Sequence, residues 1–344
     1  MLFNKDIGID LGTANTLIYI KGKGIVINQP SVIAVDTGLR KILAVGRDAK
    51  NMIGKAPAHI RVIRPLQDGV ISDFEMTASM LRVFLKGILD GAGFLTRIRI
   101  VVGVPSGVTE VEKRAVEEVI RQMGARDVFI LDEPMAAAIG CGLPVDEPTG
   151  CMIADIGGGT SDIAIIALGG IVTSTSLRHA GDRLNDAIIG HMRRTYDLLI
   201  GDRTAEDLKI GIGCAYLDAE DEGAQLSFDA RGRDIISGLP KTVKVSSKEI
   251  FDALEEPIGV IIDGIKNTLE HTPPELAADI VSYGMVLTGG GGLIRGMDKL
   301  ITRQTGLQVF VAENALEAVA EGTGKSLKSV DKLERYASKK LRRS

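Results

Sequence analysis

The sequence predicts an α/β protein of two domains, one a duplicate of the other, and three observations carry the prediction. The chain has 344 residues, too many for one ordinary core and comfortable for two. A strand that ends in an acid, a glycine turn closed by a hydroxyl, and a departing strand occur twice, as Asp6-Ile-Gly-Ile-Asp10-Leu-Gly-Thr13 and as Asp155-Ile-Gly-Gly-Gly-Thr160. A third glycine cluster follows the strand-like Met285-Val-Leu-Thr288 as Gly289, Gly290, Gly291 and Gly292. Composition is globular, with 45% hydrophobic and 25% charged residues. A net charge of −4, 4% aromatics and no Trp argue against a basic or base-stacking face, so no nucleic-acid partner is expected. Cys141, Cys151 and Cys214 form no CxxC pair, which points to a reduced compartment without structural disulfides. The start of the chain has no apolar signal core, and no run of about 18 apolar residues offers a membrane span.

The duplicated hairpins carry the chemistry. Glycine turns let a ligand approach the backbone, and their successive N–H groups form an anion-binding concavity. Two such hairpins face to face would clamp a polyphosphate. Thr13, Ala14 and Asn15 would offer amides from one side, and Gly157, Gly158 and Gly159 from the other. A carboxylate cannot face phosphate without a cation between them. Asp10 and Asp155 would therefore approach one hydrated Mg²⁺, an ion held by few carboxylates and several waters.

In chain order, residues 6–27 read as strands separated by glycine turns. Residues 31–35 and 41–45 continue as strands, and 48–53 as a short helix ending at Gly54. Asp68 stands before Gly69, either as a turn residue or near the ligand. Ser72 with Glu75 reads as a capping box for a helix whose Phe74, Leu81, Phe84, Leu85 and Ile88 face a core. The segment Gly91-Ala-Gly-Phe94-Leu95-Thr-Arg97-Ile-Arg99 has two readings. It is a helix end with Phe94 turned inward, or a membrane loop with Phe94 and Leu95 inserted and Arg97 and Arg99 facing headgroups. Residues 99–104 form a buried strand, Thr109 and Glu112 a second capping box, and 127–131 a further strand. Pro134 suits a first helical turn, which puts Glu133 at a strand's carboxyl end, where open α/β sheets bind ligands. There it either orients or deprotonates a water, or compensates the helix dipole. A strand over 171–177, a helix over 181–199, a helix capped by Thr204, a polar strand region over 219–245 and a long helix over 246–269 follow. Thr272-Pro-Pro-Glu275 breaks that helix, a helix begins near Leu293 after the glycines, and 316–327 is helical. The basic tail over 339–343 is a solvated end with weak membrane attraction as the alternative. Gly322-Thr-Gly324-Lys325-Ser326 imitates a P-loop, but Val319 stands where its first glycine belongs.

The two hairpins and the late glycines resemble the signature of the actin, sugar-kinase and heat-shock-chaperone ATPase superfamily. Within it, "GIDLGTANTLIY", "DGVISDFE", "EPMAAAIG", "GDRTAEDLKI", "SGLPKT", "TPPELAADI" and "LTGGGGLIRG" resemble the MreB/Mbl family of bacterial actin-like cell-shape proteins, from about Asp6 to Lys325. The resemblance implies an actin-like ATPase fold of two duplicated ribonuclease-H-like domains, each with a smaller inserted subdomain and nucleotide in the central cleft. It implies a subdomain IA over 1–32, 65–145 and 315–344, and IB over 33–64. It places IIA over 146–180 and 246–314, and IIB over 181–245, with a filament contact at its tip. The family's catalytic glutamate matches Glu133, with Asp132 where a Glu is usual. Glu206, Asp207, Leu208 and Lys209 fall on its ribose and base contacts, and Gly289 to Gly292 on its late glycine turn. Phe94 and Leu95 fall on its membrane loop. ATP and Mg²⁺ are the implied cofactors, with weak ATP hydrolysis. The implied partners are the chain itself in paired protofilaments, the inner face of the cytoplasmic membrane, and membrane proteins of the cell-elongation complex that directs peptidoglycan synthesis and rod shape. A plasmid-segregating actin homologue and a small-molecule kinase are the rival readings.

Overall fold

A computed structural model describes residues 3–89, 96–217 and 225–328. Strands β1 (Phe3–Leu11), β2 (Asn15–Ile20) and β3 (Gly24–Pro30) form an antiparallel meander. A small sheet follows, made of β4 (Ile33–Asp36), β5 (Lys41–Val45) and, after the single turn α1 (Arg47–Lys50), β6 (Ile60–Ile63). The two-residue strands β7 (Leu66–Gln67) and β8 (Val70–Ile71) lead into α2 (Phe74–Leu89). Strand β9 (Thr96–Val104), α3 (Glu110–Gln122), β10 (Asp127–Asp132) and α4 (Glu133–Gly140) complete the first half.

The second half opens on another meander, β11 (Cys151–Ile156), β12 (Ser161–Ala167) and β13 (Gly170–Leu177). Helix α5 (Gly181–Tyr196), β14 (Leu198–Leu199), α6 (Asp202–Ile212), β15 (Ser227–Asp234) and β16 (Pro240–Ser246) form its insertion. Helices α7 (Ser247–Glu270) and α8 (Pro274–Tyr283) lead to β17 (Met285–Thr288). The turn α9 (Gly289–Gly292), α10 (Met297–Thr305), β18 (Val309–Val311) and α11 (Ala318–Ser326) end the described chain.

The duplication is visible in the topology. One sheet runs β10-β9-β1-β2-β3 and the other β18-β17-β11-β12-β13. Each has an antiparallel meander with two parallel strands added beside its first strand. In each half a small three-stranded sheet interrupts the chain between the third and fourth main-sheet strands in chain order, β3 and β9 in the first and β13 and β17 in the second. Every residue of β11 and β12 is buried, which explains their unbroken apolar runs.

Several local expectations move by a few residues. Asp73, not Ser72, caps α2, because its Oδ1 accepts the Met76 N–H at 3.0 Å while the Ser72 hydroxyl donates to Pro65 O. The Thr109–Glu112 box forms in both directions. The helix expected to reach residue 199 stops at Tyr196, where Asp197 turns left-handed at φ 51° and β14 begins. Gly201 is the N-cap of α6 and Thr204 lies inside it. The four late glycines form a helical turn themselves, and the next helix starts only at Met297. All three cysteines are free.

The halves meet through small residues. A Cβ on Gly140 would stand 1.9 Å from Ala318 O, and one on Gly322 would stand 1.7 Å from Ala136 O. Helices α4 and α11 therefore touch backbone to backbone. Around them Val101, Leu131 and Met135 of the first half pack with Ile153, Ala164 and Ile166 of the second in one buried cluster.

Candidate functional site

The first turn is shaped from below. Strand β1 delivers Asp10, and Gly12, Thr13 and Ala14 make the turn. Ser31 holds it: its hydroxyl donates to Gly12 O at 2.6 Å and its N–H to Ala14 O at 3.0 Å. The second turn closes on itself, with the Gly157 N–H donating to Thr160 O at 2.8 Å. That bond corrects the expectation of three free amides. The Gly157 amide is used within the turn, and Gly158 and Gly159 remain to face an anion.

The two hairpins face each other at contact distance. A Cβ on Gly158 would come within 2.7 Å of the Ala14 Cβ, and one on Gly159 within 2.4 Å of Thr13 Oγ1. Glycine at these positions is a steric requirement of the approach. The β7–β8 turn wedges in beside them. Asp68 and Gly69 have φ of 48° and 76°, the pair of positive values a type I′ turn needs. The Gly69 N–H donates to Thr13 Oγ1 at 2.9 Å. Asp68 is thus a turn residue and a neighbour of the site at once.

Four carboxyl groups gather here. Asp155 lies opposite Asp162 across the β11–β12 ladder, Asp10 ends β1, and Glu133 opens α4. Asp155, Asp162 and Glu133 are buried, while Asp10 keeps partial exposure toward the cleft. Burial raises the Asp155 pKa to about 7, with Asp162 adding to the effect and the Thr288 hydroxyl, donating at 3.1 Å, opposing it. Burial and then the charge of Asp155 raise Asp10. Glu133 is pushed well up by burial and by Asp162, Asp10, Asp155 and Asp132 in that order. Asp162 is also raised by burial, although its Oδ1 accepts from the Ser106 N–H at 2.8 Å and hydroxyl at 2.9 Å. The Ser176 and Thr160 hydroxyls stand close enough to oppose that rise, yet neither makes a well-formed bond to Oδ2.

The four charged groups that act most on Glu133 are all acidic, an arrangement whose chemistry suits a divalent cation. Among the described residues no three His, Cys, Asp or Glu converge as a direct ligand set. The residues therefore fit Mg²⁺ held through its waters by Asp10 and Asp155, and do not fit an inner-sphere cage.

The late glycines are mostly sealed. Gly289, at φ 78°, and Gly291 press on Ile156, and a Cβ on Gly289 would meet Ile156 O at 2.3 Å and Asp155 Oδ1 at 2.6 Å. Only Gly290 of the four is exposed, so of the late glycines expected at the nucleotide it alone presents open backbone. On α6, Glu206 and Lys209 share the inward face while Leu208 is buried in the core and Asp207 is exposed. Lys209 Nζ donates to Gly181 O at 2.9 Å, and the Gly181 N–H donates to Gly157 O at 3.1 Å, so α6 is tied to the second turn. Glu206 reaches the other way and pairs with Lys50 Nζ at 2.9 Å.

Asp162, Ser106, Thr288, Ser31 and Lys50 were not singled out as site residues by sequence reasoning. Asp162 was accessible to it, since counting outward from the turn sets Asp162 opposite Asp155. Ser106 and Lys50 carry no local signal. Phe94 and Leu95 lie outside the described residues, as does the basic tail. The arginines expected at a membrane surface are engaged elsewhere: Arg97 makes a two-point contact with Asp127, and Arg99 makes one with Asp6 at 2.7 Å for each bond.

Comparison with known proteins supplies relatives for this arrangement. The MreB/Mbl protein family matches residues 4–335. The cell shape-determining protein Mbl of Bacillus cereus is 47% identical over 98% of this chain and 99% of its own length. The cell shape-determining protein MreB of Escherichia coli is 49% identical over 96% of this chain and 95% of its own. The crystal structure of MreB5 of Spiroplasma citri bound to ADP superposes with a TM-score of 0.90 at 39% identity, covering 96% of this chain and 98% of that one. A MamK double helical filament shares the fold, with a TM-score of 0.79 at 23% identity over 94% and 99% of the two chains.

Proposed function

Since this chain belongs to the MreB/Mbl family and has its actin-like fold, we propose that it is an ATP-binding cytoskeletal protein that polymerises with itself into paired protofilaments. In this reading the filaments lie on the inner face of the cytoplasmic membrane. With membrane proteins of the elongation complex they direct peptidoglycan synthesis and maintain rod shape. The observation that carries the nucleotide part is the direct approach of the two glycine hairpins over buried carboxylates. A relative solved with ADP supports the choice of ligand.

The chain's own residues divide the work. Amides of Gly158 and Gly159 face the phosphates from one half and the Thr13–Ala14 turn faces them from the other. Asp10 and Asp155 would hold Mg²⁺ through its waters, and the ion would supply positive charge against the phosphates. Ionised Glu133 accepts a proton from, or orients, the water that attacks the terminal phosphate. The buried cleft excludes other water. Because the ligand spans both halves, binding favours their closed arrangement and hydrolysis weakens it.

Pelleting with anionic liposomes across a protein concentration series, with and without Mg-ATP, tests this. The expected result is a threshold concentration above which nucleotide-dependent polymer sediments with the membrane. A protein that stays monomeric and unbound at every concentration, yet consumes ATP when a small substrate is added, would be a kinase instead.

A further inference from the structure

Among the described residues, three ion pairs cross between residues flanking the small sheet of the first half and the insertion of the second. Lys50 Nζ meets Glu206 at 2.9 Å, and Arg64 meets Asp182 at 3.4 Å and Asp202 at 3.8 Å. The basic side of the pairing is written into the sequence: residues 33–64 hold seven Lys or Arg against two Asp, a net of +5. The acidic partners are not arbitrary surface groups. The Asp182 N–H donates to Gly158 O at 2.8 Å, so the carboxylate gripped by Arg64 belongs to the residue that anchors the second glycine turn. Glu206 lies one helical turn from Lys209, which ties α6 to Gly181 and so to Gly157. Arg64 thus reaches the glycine turn through Asp182 alone, and Lys50 through Glu206, Lys209 and Gly181.

We propose that Lys50 and Arg64 are positioning residues of the nucleotide site, which hold the second glycine turn and α6 in place from the opposite side of the cleft and thereby set how long a nucleotide stays bound. The proposal rests on the nucleotide-binding reading above and adds residues that touch neither phosphate nor the reacting water. All five side chains keep 31–51% of their surface exposed, so each pair contributes modestly and is screened by salt. The three act together because Arg64 serves two of them and both basic residues flank one small sheet, Lys50 at the end of α1 and Arg64 directly after β6.

Release of a fluorescent ATP analogue with Mg²⁺, chased by unlabelled ATP, reads the effect on the full chain. Lys50→Gln is expected to speed release about two- to fivefold, and Lys50→Gln with Arg64→Gln about tenfold, in keeping with exposed pairs acting jointly. Lys50→Arg should restore the parent rate. Raising salt should speed release from the parent protein and change the double variant little. The thermal unfolding midpoint without nucleotide should fall by no more than exposed pairs contribute, which a general loss of structure would not allow. Amide exchange over residues 154–162 and 180–186 without nucleotide gives a second, independent readout, and the double variant should exchange faster there. Parent-like release together with parent-like exchange in the double variant would overturn the proposal. If the parent bound no nucleotide, the nucleotide reading would fall, and the exchange rates alone would decide whether the clasp holds the turn.

Discussion

Glu133 sits where burial and neighbouring acids oppose its ionisation, and that placement makes it testable. Glu133→Gln keeps the shape of the side chain and removes the proton acceptor. Phosphate release at saturating Mg-ATP should fall by about 10²- to 10³-fold, with affinity for a non-hydrolysable analogue unchanged. Release at the parent rate would remove Glu133 from the chemistry. The raised carboxyls also make a prediction about pH. Their folded pKa values lie above the unfolded ones, so without a cation the native state binds more protons than the unfolded state. Their contribution to stability is then fully present below about pH 4 and is lost as pH rises through about 7 for Asp155 and about 8 for Asp10. The slope should approach about 1.4 kcal/mol per pH unit for each proton involved. Mg-ATP, which favours the ionised forms, should flatten that decline. Thermal unfolding from pH 5 to 8 with and without Mg-ATP measures both, and identical slopes would count against a cation between Asp10 and Asp155. At this scale the sequence announced Asp10, Asp155 and Glu133 through their motifs. It could not announce Ser106, because the bond to Asp162 joins residues 56 positions apart in different halves.

Elements were legible where a local pattern decides them and slipped where a competing side chain is available. Thr109 with Glu112, and Ser246 with Glu249, each close a reciprocal cap. Before α2 the Ser72 hydroxyl is drawn to Pro65 O, and Asp73 takes the cap one residue later. Before α6, Gly201 already has the extended backbone a cap requires, which leaves Thr204 to the helix interior. Thr109→Ala should cost about 1 kcal/mol of stability, read from urea unfolding, with no effect on nucleotide affinity. The α4–α11 crossing predicts a larger loss. Gly322→Ala would drive a methyl into Ala136 O, so the helices must separate, at a cost of roughly 1–3 kcal/mol and several degrees in the unfolding midpoint. An unchanged midpoint would mean that the crossing has slack the geometry does not suggest.

For the whole molecule, the duplication of a hairpin motif anticipated a duplication of entire sheets, down to strand order and direction. What the sequence left hidden is the join between them. Small residues in α4 and α11 look like unremarkable alanines and glycines until the backbones they bring together are seen. The ion pairs across the cleft are hidden for the same reason, since a charge count by segment shows an excess but not its partners. The position of α11 also has a consequence for the order in which the protein can be made. This helix is among the last described elements, yet it seals the first sheet: a Cβ on Gly324 would strike the Tyr19 ring, and one on Gly8 would strike Gly324 N. The first half has all five strands of its sheet once Asp132 has left the ribosome, but the helix that covers it is about 190 residues away, some 10–40 s at bacterial synthesis rates. Through that interval the emerging chain lacks the helix that covers this face, and a product truncated before Ala318 would keep the face open.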